Sequence, residues 1–173
     1  MYTASDLINL TGRKYHGQKN HLNYFKKTYT DYSFEEITGS NVGEVIEFFK
    51  SLKNPSSIDS EVLAEDRIKT FEVLENYDAY ALLGGFIRTG DKIVAFSIGE
   101  ILGDVLFVHI EKADTSYRGA YQIINNEFAK HYTTEQIEFI NREDDAGDAG
   151  LRISKQSYHP VEMIDKYIVE VKP

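Results

Sequence analysis

None of the 173 residues of this sequence is a cysteine. Its absence excludes disulfides, thiolate metal sites and a cysteine nucleophile. No apolar run is long enough to cross a membrane, and no secretory signal is visible at the start. These absences favour a protein of the reducing cytoplasm. Apolar residues form 42% of the chain, which argues against disorder and suits one ordinary domain with a full core.

Acidic residues are missing from one stretch of an otherwise acidic chain. The net charge is −9, which argues against a broad nucleic-acid surface, yet no acidic residue lies between Asp6 and Asp31. This basic patch contains Arg13, Lys14, His16, Lys19, His21, Lys26 and Lys27. We predict that 1–30 is a helical, linker-like segment with the basic patch and that 31–173 is a single domain. A solvated face without a partner is the alternative interpretation of the patch.

Periodic apolar residues predict helices and strands along most of the chain. The first helix spans 3–9, with Ser5 as its cap and Gly12 as its end. Further helices are predicted over 18–28, 42–52, 60–76, 119–131 and 148–157, with a short helical segment after Pro160. The helix over 42–52 is expected to stop because Asn54-Pro55 follows it. Strands are predicted over 34–37, 137–140 and 167–171.

The middle of the chain contains three apolar runs, over 79–88, 92–101 and 104–111. Thr89-Gly90-Asp91 and Leu102-Gly103 separate them with residues typical of tight turns. Such short connections join antiparallel neighbours, so the runs predict a three-strand meander. The third run is apolar on both faces for most of its length and is predicted to be a central, covered strand. Helices before and after the meander indicate the α+β class.

The junction between the third strand and the next helix is the first candidate site. A helix that begins at Gly119-Ala120 offers free backbone N–H groups and the positive end of its dipole. Small residues let an anion approach the backbone closely, and Arg118 could add a contact to a phosphate. The alternative is that Gly119 is only a turn residue.

Polar residues end the third strand beside that junction. His109 and Glu111 alternate along the strand and are therefore expected on one face. A carboxylate at position 111 could act as a base toward an amine nucleophile. The alternative is a structural ion pair of Glu111 with Lys112 or Arg118.

A polar loop from Asn141 to Asp145 follows the next strand. Asparagine and arginine are costly to bury without partners, so Asn141 and Arg142 either satisfy backbone groups or face a ligand. The carboxylates of this loop could bind a divalent metal, but their spacing fits no metal motif and no metal site is assigned. Further along the chain, Tyr158 could donate a proton to a leaving group or simply plug the sheet edge.

Five motifs in one order resemble a known bacterial family. They are Gly12-Arg13-Lys14-Tyr15-His16 with Lys19-Asn20-His21, Ala95-Phe96-Ser97-Ile98-Gly99-Glu100, His109-Ile110-Glu111-Lys112-Ala113, Asn141-Arg142-Glu143-Asp144, and Leu151-Arg152 to Lys155-x-Ser157-Tyr158-x-Pro160. Together they are similar to the domain family shared with the C-terminal part of phosphatidylglycerol lysyltransferase. The resemblance runs from about residue 5 to residue 171, and the ordered set is more specific than any one motif.

The resemblance implies a GNAT-type acyltransferase fold, with a mainly antiparallel mixed sheet flanked by helices. In that fold the last meander strand and the following helix splay from the next strand, and the acyl donor enters the gap. Members usually carry two such units in tandem, and the lysyltransferases move an amino acid from aminoacyl-tRNA to a lipid head group. No such unit precedes residues 1–28 here, so we expect a stand-alone half or a piece of a longer chain.

Position within this fold gives the candidate residues their expected roles. Glu111 and Tyr158 are the catalytic candidates: Glu111 deprotonates or orients the acceptor, and Tyr158 assists the departing group. Donor and anion binding is expected of Arg118, Gly119, Ala120, Arg142, Arg152 and Lys155. Substrate binding is expected of Arg13, Lys14, His16, Lys19, Asn20, His109, Lys112, Asn141 and Asp144.

Three functions are compatible with these patterns. The favoured one is an aminoacyltransferase that uses aminoacyl-tRNA, with the basic patch neutralising tRNA phosphates. The second is an acetyl-CoA-dependent N-acetyltransferase, although Arg118-Gly119-Ala120 matches the usual Arg-x-x-Gly-x-Gly/Ala pattern only in part. The third is a non-catalytic binding or regulatory domain that keeps the fold. The sequence lacks a Gly-x-Ser-x-Gly elbow and a phosphate loop, which argues against serine-hydrolase chemistry and nucleotide hydrolysis.

Overall fold

A computed structural model describes residues 1–53, 60–145, 147–165, 167 and 169. Its helices are α1 (Ala4–Asn9), α2 (His16–Thr28), α3 (Val42–Ser51), α4 (Ser60–Glu75), α5 (Tyr77–Tyr80), α6 (Ala120–Tyr132) and α7 (Ala149–Gln156). Its strands are β1 (Tyr2–Thr3), β2 (Ser33–Glu36), β3 (Leu83–Thr89), β4 (Lys92–Leu102), β5 (Val105–Ala113) and β6 (Phe139–Asn141). A turn of 3-10 helix, Arg13–Tyr15, leads into α2.

The strands form one sheet of six in the order β1-β6-β5-β4-β3-β2. Every neighbouring pair is antiparallel except β5 and β6, which are parallel. Gly90 and Gly103 close the two turns of the meander at positive φ angles of 54° and 64°, where glycine carries no steric penalty. The predicted meander, its central third strand and the α+β mixed sheet with flanking helices are therefore confirmed.

Helices cover both faces of the sheet. On one face, α1, α2 and α6 bury a cluster that includes Leu7, Phe25 and Ile124. On the other face, α3 and α4 cover a cluster that includes Val45 and Phe96. Leu7 and Phe25 both come from the segment 1–30, so the segment predicted to be linker-like contributes to the same core as the sheet.

A β-bulge interrupts the pairing of β4 with β5. Ile98 pairs with Ile110, but the next residue, Gly99, pairs with Val108, which leaves His109 as an extra residue on β5. Val108 and Ile110 consequently belong to core clusters on opposite faces of the sheet. The prediction that His109 and Glu111 share one face is therefore wrong, because the bulge reverses the alternation between them.

β5 and β6 separate soon after they begin to pair. Only the first three residues of β5, Val105–Phe107, pair with Phe139–Asn141 of β6. The Asn141 side chain then accepts the backbone N–H of Glu143 at 2.9 Å, and Glu143 has a φ of 58°. This turn directs the chain away from β5, so no described strand lies beside 108–113 on that side. We call the resulting gap between β5 and the chain after β6 the cleft.

Two predicted boundaries differ from the structure for local reasons. α1 is capped by Thr3 rather than Ser5, because the Thr3 hydroxyl accepts the Asp6 N–H at 3.3 Å. The strand predicted from residue 79 begins only at Leu83, since α5 takes up the start of that run and Ala81 follows at a φ of 51°. Both differences reflect short-range hydrogen bonding and turn geometry that apolar spacing does not encode.

The C-terminal predictions fare differently. The helical segment predicted after Pro160 is wrong: residues 161–165 are not helical, and the Val161 N–H instead donates to the Met1 carbonyl at 2.9 Å. The strand predicted over 167–171 lies largely outside the described residues, and neither Tyr167 nor Val169 is in a strand. The stop at Asn54-Pro55 also lies outside them. Within the described ranges, no helix combines the length and apolar character that spanning a bilayer requires.

Candidate active site

A buried ion pair closes the cleft between β5 and β6. Arg142 Nη2 donates to Glu111 Oε1 at 2.8 Å, and the two side chains are only 9% and 11% exposed. Asn125 Nδ2 of α6 donates to the other carboxylate oxygen of Glu111 at 3.1 Å. Both oxygens of this carboxylate are therefore held by fixed donors. Charged side chains that are buried this deeply need such partners, because an unpaired buried charge would strongly destabilise the folded protein.

The alternative predicted for Glu111, an ion pair with Lys112 or Arg118, has the wrong partners. Lys112 Nζ pairs with Asp66 of α4 at 2.5 Å, on the opposite face of the sheet. The Arg118 guanidinium lies over the ring of Tyr24, 4.5 Å from the ring centroid. The actual partner, Arg142, is 31 residues from Glu111 in sequence, and the cleft geometry brings the two together.

Tyr158 lies against the ion pair at the floor of the cleft. Its ring centroid is 4.8 Å from the guanidinium carbon of Arg142, and only 3% of the residue is exposed. Burial raises the pKa of Tyr158 to about 12, although the nearby Arg142 charge opposes the rise. The phenol is therefore protonated at neutral pH and can donate a hydrogen bond or a proton.

Arg142 holds one unsatisfied donor. Its Nη1 atom is buried and has no hydrogen-bond partner within the described residues. A buried N–H group without an acceptor is costly by about 1 to 3 kcal/mol, and more when the group is charged. An acceptor oxygen that reached this buried atom would satisfy it.

Lys155 of α7 fixes the loop that follows β6. Its Nζ donates to the carbonyl oxygens of Arg142 at 2.5 Å, of Glu143 at 3.4 Å and also of Asp144. Burial, followed by the charge of Arg142, lowers the pKa of Lys155. Arg152, on the same helix, forms a surface ion pair with Asp145 at 2.6 Å. These two predicted anion-binding residues thus both contact the polar loop.

Helix α2 runs along the rim of the cleft and brings the basic patch there. Gln18 Nε2 donates to Ser157 Oγ at 2.7 Å, and a ring nitrogen of His159 bonds the Lys14 carbonyl at 3.0 Å. The remaining predicted residues of this segment, Arg13, His16, Lys19 and Asn20, are exposed. The patch therefore borders Tyr158 on the solvent side.

The N-terminus of α6 faces α2 rather than open solvent. Gly119 has a φ of 92°, and a Cβ at this position would lie 2.5 Å from the backbone carbonyl oxygen of His21. Gly119 is therefore required by helix packing as well as by its turn conformation. Beside it lies a pocket of about 260 Å³, lined by His21, Thr115, Tyr117, Arg118, Gly119, Ala120, Tyr121, Gln122 and Ser154.

His109 belongs to a separate polar cluster. Its ring nitrogens lie 3.0 Å from Glu100 and 3.0 Å from Glu143. Arg142 and Glu143 thus point to different partners, Arg142 to Glu111 and Glu143 to His109. The predicted substrate-binding residues do not form one site, because His109 and Lys112 are separated from the cleft cluster by the sheet.

Sequence reasoning missed two contributors to the cleft, Asn125 and Tyr2. Asn125 is buried on α6 and holds Glu111, while the Tyr2 ring lies 5.9 Å from the guanidinium carbon of Arg142. The signal for Asn125 was present, since Asn125-Asn126 interrupts the apolar stripe of a helix that packs on the sheet. Tyr2 gave no such signal, because β1 is only two residues long.

Residues 1–170 match the sequence profile of the family described as phosphatidylglycerol lysyltransferase, C-terminal. The chain belongs to this family. The match covers nearly the same residues as the five motifs, so the resemblance inferred from those motifs is confirmed.

Longer proteins contain a similar unit. The chain is 38% identical to a conserved protein of unknown function from Bacteroides thetaiotaomicron VPI-5482, with a TM-score of 0.83 over 94% of this chain and 55% of that one. It is 27% identical to an uncharacterised protein of Mycoplasmoides gallisepticum, over 99% of this chain and 55% of the relative. The chain therefore spans about half the length of these relatives.

Acetyltransferase structures share the fold at low sequence identity. A possible acetyltransferase from Clostridium difficile 630 matches with a TM-score of 0.58 and 17% identity, over 82% of this chain and 99% of its own. The aminoglycoside acetyltransferase AAC(6')-Iy, in complex with a bisubstrate analogue containing CoA, matches with a TM-score of 0.55 and 13% identity, over 82% and 98%. These similarities show the GNAT acetyltransferase fold.

Proposed function

We propose that this chain is an aminoacyltransferase domain that passes an aminoacyl group from aminoacyl-tRNA to an amine or hydroxyl acceptor. Its family and fold are those of acyltransferases. The observation that carries the proposal is the buried, unsatisfied Arg142 Nη1, in an ion pair with Glu111 and with Tyr158 packed against the guanidinium. A carbonyl oxygen bound there would accept a hydrogen bond from this charged, buried donor.

The proposed reaction is acyl transfer from an ester. The acceptor atom forms a bond to the ester carbonyl carbon, and the bond from that carbon to the ribose oxygen breaks. Arg142 Nη1 donates to the carbonyl oxygen as negative charge develops on it. Tyr158, which is protonated at neutral pH, gives its proton to the departing ribose oxygen. The proton released by the acceptor then restores the Tyr158 hydroxyl.

Glu111 is assigned an orienting role in this scheme. Its two carboxylate oxygens already accept from Arg142 Nη2 and Asn125 Nδ2. These contacts fix the guanidinium so that Nη1 keeps one direction within the cleft. These contacts favour positioning of Arg142 over both roles predicted from the sequence, which were deprotonation and orientation of the acceptor.

Two features favour a tRNA donor over acetyl-CoA. The His21 carbonyl faces Gly119 at the N-terminus of α6, so a diphosphate at that position would meet the negative end of a peptide dipole. On α2 and the turn before it, Arg13, Lys19 and Lys27 are exposed and have no ion pair among the described residues. Such cations suit tRNA phosphates, whose condensed counterions they would release.

Transfer of a radiolabelled amino acid from its tRNA tests the proposal. The acceptors are an excess of a soluble amine and, separately, vesicles of phosphatidylglycerol, because the acceptor class is open. We expect label to move to one acceptor, and Tyr158→Phe to slow the transfer about 100-fold through loss of the proton donor. The matched control is Tyr132→Phe, whose hydroxyl donates to the Gly84 carbonyl away from the cleft.

The longer Bacteroides relative is assayed in parallel, because this chain spans only 55% of it. An upstream unit that completes the site, as the family resemblance implies, would make the longer protein active where this chain alone is slow. Failure of both proteins to transfer label to either acceptor would overturn the proposal.

An acetyl-CoA-dependent N-acetyltransferase is the second candidate. The observation in its favour is the shared fold with an acetyltransferase that holds a CoA-containing analogue. Calorimetry with CoA tests this function. No heat of binding at millimolar CoA would exclude an acetyl-CoA-dependent N-acetyltransferase. A chain that neither transfers an acyl group nor binds CoA would correspond to the third function, a non-catalytic binding domain.

A further inference from the structure

An arginine and two tyrosines line the small pocket between α2 and the start of α6, and a third tyrosine contacts the arginine. Tyr117, Arg118 and Tyr121 line the pocket, with Tyr121 exposed. His21 of α2 lines it from the other side, and Tyr24 lies one turn further along the same helix face. Tyr24 is 41% exposed, although it is a large aromatic residue on a helix that packs into the core.

Arg118 and Tyr24 form a stacked pair at the edge of this pocket. The guanidinium carbon lies 4.5 Å from the centroid of the tyrosine ring. Arg118 has no ion pair within the described residues, so its planar group keeps a face and its donors available. Planar guanidinium groups and aromatic rings are the surfaces on which proteins stack unpaired nucleobases.

The size and polarity of the pocket limit what can occupy it. Its volume is about 260 Å³. Typical sites for larger ligands enclose roughly 300 to 1,000 Å³, so a single nucleoside suits this pocket better than an extended cofactor. The His21 carbonyl that faces Gly119 disfavours a diphosphate beside the base. A nucleoside carrying a single flanking phosphate avoids that conflict and can use Arg118 as its cation.

We propose that this pocket binds the unpaired 3′-terminal adenosine of a tRNA, with its base stacked on the Arg118–Tyr24 pair. The inference rests on the proposed function, which it extends by placing one end of the donor. Ser154 of α7 also lines the pocket, and α7 contributes Lys155 to the loop of Arg142. A terminal nucleoside in this pocket would therefore lie next to the cleft that receives its ester.

Fluorescence anisotropy with two labelled RNA hairpins tests this subsite. The hairpins carry the same acceptor stem and end either in CCA or, one nucleotide shorter, in CC. Stacking of one base corresponds to about a tenfold difference in affinity, so the CCA hairpin should bind about tenfold more tightly. Tyr24→Ala should reduce this ratio to about one, whereas Tyr24→Phe, which keeps the ring, should retain it.

Arg118→Lys provides the second comparison, because lysine keeps the charge and loses the planar group. We expect a lower CCA-to-CC ratio with an unchanged salt dependence. A ratio near one in the unaltered protein, or a tenfold ratio that survives Tyr24→Ala, would overturn the subsite while leaving the proposed function standing. If neither hairpin binds at low salt, both the subsite and the proposed function are overturned.

Discussion

Arg142 and Glu111 are charged residues that neighbouring elements enclose almost completely. Their mutual contact and the Asn125 donor satisfy most of the polar atoms of the pair. Removal of one partner leaves the other as an uncompensated buried charge, which is more costly than removal of both. The stability of the cleft therefore depends on the two residues as a unit.

Single substitutions of this pair should be far more damaging than the double substitution. We expect Arg142→Met and Glu111→Leu each to lower the free energy of unfolding by about 3 to 5 kcal/mol. The double variant should recover most of that loss, because no unpaired charge remains. Urea unfolding of the four proteins measures the coupling, and additive losses in the double variant would contradict a direct pair.

Burial of Tyr158 should make the folded protein less stable at alkaline pH. Burial raises its pKa to about 12 in the folded chain, above the value of about 10 in the unfolded chain. A raised pKa contributes stability that is fully present below pH 10 and is lost as the pH rises to about 12. The loss amounts to about 2 to 3 kcal/mol, because each pKa unit corresponds to about 1.4 kcal/mol.

The comparison is between the unaltered protein and Tyr158→Phe. Between pH 9 and pH 12 the unaltered protein should lose about 2 to 3 kcal/mol more unfolding free energy than the variant. Urea unfolding at several pH values provides the measurement. Parallel pH profiles for the two proteins would show that the phenol is not buried as described.

The sequence could not show which residues of the site, distant from each other in the chain, are in contact. Glu111 and Arg142 were predicted as polar residues at the ends of strands expected to be buried, and Tyr158 as a candidate proton donor after the helix over 148–157. That Glu111 pairs with Arg142 rather than with Lys112 depends on where β5 and β6 separate, which no local period specifies. Asn125 was missed for the same reason, because its role exists only opposite Glu111.

At the scale of elements, the bulge in β5 determines which residues reach the cleft. Gly99 lies opposite it, and a Cβ there would collide with the Phe107 carbonyl oxygen and touch the Phe128 ring at 3.4 Å. The backbones of β4 and β5 approach so closely that position 99 has no room for a side chain. Without this close approach, Glu111 would lose its position facing Asn125.

Two glycine-to-alanine substitutions distinguish this steric collision from the ordinary effect of replacing a glycine by alanine. We expect Gly99→Ala to destabilise the protein by about 1 to 3 kcal/mol or more, since the collision involves backbone atoms. Gly43→Ala is the control, because Gly43 lies in α3 with nothing within 4 Å of its added Cβ. Alanine there should be neutral or stabilise by up to about 1 kcal/mol. Thermal or urea unfolding in which both variants behave alike would contradict the account of the bulge.

Elements with strong local signals were predicted well, and those without were not. The Gly90 and Gly103 turns defined the meander, and the spacing of Ile123, Ile124 and Phe128 defined α6. The bulge at His109 has no local signature, since His109 and Glu111 also fit a regular alternation along β5. β1 consists of only two residues, and α5 replaces the start of a run that appeared to be strand. Tertiary contacts decide the bulge and β1, whereas short-range hydrogen bonding and turn geometry decide α5.

At the scale of the whole molecule, an acidic chain carries a local group of exposed cations. The net charge is −9, yet α2 and the turn before it carry the exposed cations Arg13, Lys19 and Lys27. An acidic protein would bind a polyanion only at the surface that carries such exposed cations. The chain spans about half of its longer relatives, so the tandem arrangement stays a prediction and further tRNA contacts would come from the other half.

Salt dependence of aminoacyl-tRNA binding tests the central claim most directly. If Arg13, Lys19 and Lys27 each neutralise one phosphate, affinity should fall about 20- to 40-fold between 50 and 200 mM salt. Lys19→Gln should lower the log–log slope by about one unit, and excess CoA should not displace the tRNA. No retention of aminoacyl-tRNA on a filter at 50 mM salt, or retention that salt does not change, would contradict the account.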